Sequence, residues 1–201
     1  MSSAIAADRG ESASMSSGAL FLSEFGRLLR EDHHLAENLR GAADGVQLRP
    51  WTQLLTEAVT RCCKTLGWIA AAKGVGGSPA RPLHRYEYLG LDVSAFPAGD
   101  GWRRLHAAFE LENSRRVDKI AYALWKASVV RAELGCLFCY RRDAADVASL
   151  VAHLGATVVR PLDPSQELLA VVGTRDTAGT FPDGYFRSFR WNANAVRFES
   201  A

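Results

Sequence analysis

Two glutamates alternate with apolar residues in Phe109-Glu110-Leu111-Glu112-Asn113-Ser114, and an aspartate closes the earlier apolar run Tyr86-Glu87-Tyr88-Leu89-Gly90-Leu91-Asp92. On a strand, residues i and i+2 point to one face, so Glu110 and Glu112 share a side. With Asp92 from a neighbouring strand, they can converge on a divalent cation. Hard ions such as Mg²⁺ take oxygen ligands and keep several waters. A cation held in this way polarises a phosphate and lowers the pKa of a bound water. Glu112 would be a further ligand or a general base, Asn113 a supporting donor, and a lysine from the next helix would steady charge on the phosphate. By pattern alone, Glu110 and Glu112 also fit the wet face of a strand that buries Phe109 and Leu111.

These residues need a sheet to hold them. Ala19 to Arg40 carries Leu20, Phe21, Phe25, Leu28, Leu29, Leu35 and Leu39 at helical spacing, which predicts one amphipathic helix ending at Gly41. His33-His34 falls on its solvated face. A second helix is expected from Pro50-Trp51 to Leu66-Gly67. Strands follow at Trp68–Ala72, Tyr86–Phe96 and Trp102–Leu111, broken by segments rich in Gly, Pro and Ser. A helix from a Ser114 cap to Leu134, a strand Gly135–Tyr140, a helix Asp143–Leu154 and a strand Leu168–Gly173 complete the pattern. Gly184 to Phe198 alternates aromatic and polar residues, as an added strand or hairpin would. The connection after Asp92 decides the site: an odd-membered loop sets Asp92 opposite Ala108 or Glu110, whereas a two-residue Asp-Gly turn sets it opposite Phe109.

The order helix, strand, strand, strand, helix, strand, with Asp92, Glu110-x-Glu112 and a lysine-bearing helix, resembles the PD-(D/E)XK superfamily of restriction-endonuclease-like nucleases. The resemblance covers about residues 50 to 175. It implies an α/β fold with a mixed central sheet flanked by helices, to which the N-terminal helix and the C-terminal β segment, both outside the resemblance, are added. It also implies Mg²⁺- or Mn²⁺-dependent hydrolysis of phosphodiester bonds, with DNA the expected substrate and a bacterial defence or phage setting. The site would comprise Asp92, Glu110 and Glu112 as metal ligands and Lys126 as the catalytic lysine. The chain departs from the family at Glu112, which stands where the strand lysine is expected. Some members carry Glu-x-Glu there, and others supply the lysine from the following helix. Here that helix bears Lys119 and Lys126, and Ala123-Leu124-Trp125-Lys126 favours the second. Glu57 resembles an accessory acid of some relatives, although a surface glutamate is the simpler reading. A fold kept without catalysis, as a protein- or nucleic-acid-binding subunit, is the alternative function.

Composition sets the remaining bounds. At 201 residues and 48% hydrophobic, the chain suits one domain over residues 19–201, with Met1–Gly18 a Ser/Ala/Gly-rich disordered tail. A net charge of +2 means that polyanion contact must come from local clusters such as Arg103-Arg104, Arg115-Arg116 and Arg141-Arg142. The late aromatics Tyr185, Phe186, Phe189 and Trp191 are read as core in preference to base-stacking groups. Four cysteines, with a lone Cys136-x-x-Cys139, predict reduced core thiols, with the two on opposite faces of a strand. No apolar run reaches membrane-spanning length. The expectation is a cytoplasmic protein that meets nucleic acid but no membrane, acting as a homodimer or with a partner protein.

Overall fold

The computed structural model describes residues 15–45, 47–73, 88–99, 104–162, 164–174, 177, 179 and 181–201. The expected tail falls mostly outside them, but its last residues are helical. Ser16 caps α1 (Ser17–Glu31) by accepting from Ala19 N, and Gly18 N donates to a Glu167 oxygen at 2.8 Å.

The single long helix expected over 19–40 is two. Asp32 leaves helical geometry at φ −94°, ψ 81°, and its side chain accepts from Leu35 N at 2.9 Å, starting α2 (His33–Asp44). An aspartate inside a helix competes for backbone N–H groups and is better placed at a cap. Arg61, on α3 (Leu48–Thr65), pairs with Asp32 at 2.8 Å.

Among the described residues, seven strands form one mixed sheet in chain order: β1 (Ile69–Ala72), β2 (Val93–Phe96), β3 (Ala107–Leu111), β4 (Leu134–Arg141), β5 (Glu167–Thr174), β6 (Phe186–Asn192) and β7 (Arg197–Ser200). The first three run as an antiparallel meander, β3–β4 and β4–β5 are parallel, and the last two pairings are antiparallel. The parallel steps are made by α4 (Val117–Val129) and α5 (Ala144–Leu154), the latter continuing through a π-helical turn to Leu162. The molecule is therefore α/β, with a sheet sandwiched between helices.

Alternation along the strands feeds two cores. Phe109, Cys136, Phe138, Leu169 and Val171 face Phe21, Phe25, Trp51 and Leu55 of α1 and α3. Leu137, Cys139, Leu168, Ala170 and Val172 face Ile120, Leu124, Val147 and Leu150 of α4 and α5. Cys136 and Cys139 thus lie on opposite faces as expected, and all four cysteines are buried and free. Tyr185 and Phe186 pack against Trp51, and Trp191 against Phe198, so the late aromatics are packing groups.

Other elements also differ in extent from the sequence expectation. Of the strand expected over 86–96, residues 86 and 87 lie outside the described residues, Tyr88–Gly90 forms a tight turn with Leu89 at φ 56° and Gly90 at φ 70°, and Val93–Phe96 is β2. α4 opens at Val117 with Arg116 as cap residue, since Ser114 instead accepts from Arg116 N at 3.1 Å within the turn before it. It ends at Val129, as Glu133 N and Leu134 N turn to the His106 carbonyl. No helix among the described residues is long and apolar enough to cross a membrane.

Candidate active site

The site begins with strand register. β2 and β3 pair Ala95 with Ala107 and Val93 with Phe109, an odd-membered connection. Continued by one residue, that register sets Asp92 opposite Glu110. Directly opposed residues share a face, so the two carboxylates lie on the side covered by α4. The Asp92 Oδ2 atom accepts from Leu111 N at 2.7 Å, which fixes the carboxylate against the end of β3.

Glu110 is 3% exposed, an unusual position for a carboxylate. Burial pushes its carboxyl up to about 7; the Lys126 ammonium opposes that shift, and the charges of Asp92 and Glu112 add to it. Lys126 Nζ stands 2.8 Å from Glu110 Oε1 and donates to the Gly90 carbonyl at 2.7 Å. The approach to Glu110 is close but poorly aligned, so Oε1 has no well-directed hydrogen bond although it is buried. The left-handed turn at Leu89 and Gly90 is what aims that carbonyl at Lys126. A non-glycine residue there is strained, and Leu89 is also exposed.

The structure separates the two lysines that spacing alone leaves equivalent. Lys126 lies over the carboxylates, with Tyr122 5.9 Å below its Nζ, while Lys119 is on the exposed side of α4. Glu112 does not join Asp92 and Glu110 as expected. Its Oε1 accepts from Ser114 N at 2.6 Å, because the chain leaves the strand at residue 112 and the carboxylate satisfies the turn instead. Its charge still reaches Glu110. Asn113 is also drawn away, donating to Thr52 Oγ1 and towards the Leu48 carbonyl, so it ties β3 to α3 rather than supporting the site. Glu57 is an exposed partner of Arg61 on α3, a helix that packs on the opposite face. His34 meets Asn38, as a surface histidine would.

Among the described residues no group of three or more His, Cys, Asp and Glu side chains is arranged to hold a metal ion. The donor set that does form is a pair, Asp92 and Glu110. Mg²⁺ is commonly held by one or two carboxylates with water and phosphate oxygens completing its shell, so the pair fits it chemically. Glu110 supplies a buried oxygen with no well-directed donor, and Asp92 an oppositely placed carboxylate.

A second array escapes sequence reading altogether. His106 Nδ1 lies 3.1 Å from Glu133 Oε2, and its Nε2 lies 3.3 Å from Ser17 Oγ. Ser, His and Glu in line are the parts of a nucleophile relay. Here Gly18 N, the helix-end donor that would serve an oxyanion, is occupied by Glu167, and Trp68 packs on the imidazole at 4.4 Å. The array clamps α1 to the sheet. Its members are too far apart in the chain for spacing to reveal it.

Compared with known proteins, the chain matches no family model, no curated protein and no solved structure.

Proposed function

We propose that the protein is a Mg²⁺- or Mn²⁺-dependent nuclease of the restriction-endonuclease-like type, hydrolysing phosphodiester bonds with DNA as substrate. A defence role in a bacterial or phage setting suits such an activity. One observation carries the reading: Asp92 and Glu110 oppose each other across β2 and β3, with Lys126 of the following helix on Glu110. The order α3-β1-β2-β3-α4-β4 supports it.

Asp92 and Glu110 would hold the cation, which when bound acidifies a water and neutralises phosphate charge. Glu110 must then be ionised, and Lys126 is left to face the phosphate, where its ammonium steadies the charge that develops as water oxygen bonds to phosphorus and the leaving oxygen departs. Glu112, held by Ser114 N, adds its charge near Glu110.

The competing reading, a silent nuclease-like module that binds protein or nucleic acid, is favoured by Lys126 already neutralising Glu110 and by the absence of a third ligand among the described residues. Incubation of plasmid and single-stranded DNA with Mg²⁺ or Mn²⁺ separates the two. Wild type should cut, and Asp92→Asn should lose at least about a hundredfold, the scale of removing a principal electrostatic group. Equal cutting by both would sink the site, and no cutting under any condition would leave the silent module.

A further inference from the structure

Where β4 ends, a cleft of about 810 Å³ opens between the turn leading into α4 and the side of α5. That volume accommodates a nucleotide-sized ligand. Its walls carry Arg115, Arg141 and Arg142, with Asp146 the one carboxylate among the lining residues. Arg142 is already engaged by Asp143 at 3.2 Å. Arg141 is the telling group: its Nη1 donates to the Tyr140 carbonyl at 2.9 Å, while Nη2 is buried and meets no acceptor. Leaving such a donor unmet is unfavourable, and the flat guanidinium fork matches phosphate oxygens.

Position relates the cleft to the carboxylates. Glu110 pairs with Leu137 on β4, and Leu137 and Cys139 both face α4 and α5. Alternation puts Arg141 on that same face, roughly 13 Å further along at ~3.3 Å per residue. A stacked strand rising ~3.4 Å per nucleotide covers that distance in about four nucleotides.

We infer that the Arg115–Arg141 cleft holds a backbone phosphate of the nucleic-acid strand whose scissile phosphate lies at Asp92 and Glu110. The inference rests on the nuclease reading, but its test does not depend on cleavage. Full-length Asp92→Asn protein is titrated with a labelled oligothymidylate by fluorescence anisotropy over a range of salt, and separately with inorganic phosphate and adenosine 5′-monophosphate by calorimetry. Arg141→Gln should weaken the oligonucleotide at least about tenfold and lower the salt slope by about one. Arg115→Gln, at an exposed position, should weaken it several-fold and covers the case in which Arg141→Gln fails to fold. Unchanged affinity and salt slope in both variants would overturn the inference. Arg141-dependent binding of the mononucleotide or phosphate, with the oligonucleotide unbound, would overturn its assignment to a strand. Arg141-dependent oligonucleotide binding by a protein whose wild type never cuts would support the cleft and remove the cleavage reading alone.

Discussion

Glu110 is held in two opposed ways, and pH decides between them. Burial favours its protonated form and raises its carboxyl from the ordinary 4.5 to about 7, while Lys126 favours the ionised form. Because the folded protein holds this proton more tightly than the unfolded chain, the associated stability is complete below about pH 4.5, falls as pH rises and is gone above about pH 7. In metal-free buffer, Glu110→Gln should therefore gain on wild type between pH 5 and 8, by up to ~3 kcal/mol. Urea unfolding at both pH values measures the gap, and parallel curves for the two proteins would refute it. A cation changes the sign, since it requires the ionised carboxylate. Mn²⁺ affinity should accordingly climb towards neutral pH.

At the scale of elements, the sequence was most legible where a pattern was long and local. The apolar periods of α3, α4 and α5 and the strand runs at β1, β4 and β5 are realised within a few residues. What spacing could not show was where polar side chains would take over the backbone. Asp32 splits one expected helix by capping the next, Glu112 turns onto Ser114 N, and Asn113 leaves for α3. The choice between Lys119 and Lys126 depended on a left-handed turn at Leu89 and Gly90 that offers Lys126 a carbonyl, a feature without hydrophobic signature. The pairing of Asp92 with Glu110 depended on loop parity, which the sequence left open between two outcomes. The break at Asp32 is testable as a cap. Asp32→Ala should cost about 1 kcal/mol by urea denaturation, while Asp32→Asn, which keeps an acceptor for Leu35 N and loses only the exposed Arg61 pair, should fall within about 0.5 kcal/mol of wild type. Equal losses in both variants would mean that the ion pair, not the cap, fixes the α1–α2 angle.

For the whole molecule, the sheet separates two tasks. The α1–α3 face is closed by a continuous aromatic and aliphatic core from Phe21 to Tyr185, with Phe21 and Phe109 rings 4.8 Å apart. The α4–α5 face has its own apolar core, from Ile120 and Leu124 to Val172 and Phe198, but at the β2–β3 end it admits Glu110 and Lys126, and beyond β4 it opens into the arginine cleft. A buried carboxylate near a second one weakens the protein that carries it, unless a ligand of opposite charge binds the folded state alone. Metal binding at this place must therefore appear as global stability. With Mn²⁺ at about a hundred times its dissociation constant, wild type should gain ~2.7 kcal/mol. For a chain of this size, that corresponds to a Tm rise of roughly 5–10 °C. Asp92→Asn and Glu110→Gln should each lose most of that rise in a thermal scan at pH 7.5, whereas Glu57→Gln, on the opposite face, should keep it. If all four proteins rise together, the cation binds elsewhere, and the two opposed carboxylates are a strained feature of the fold rather than a metal site.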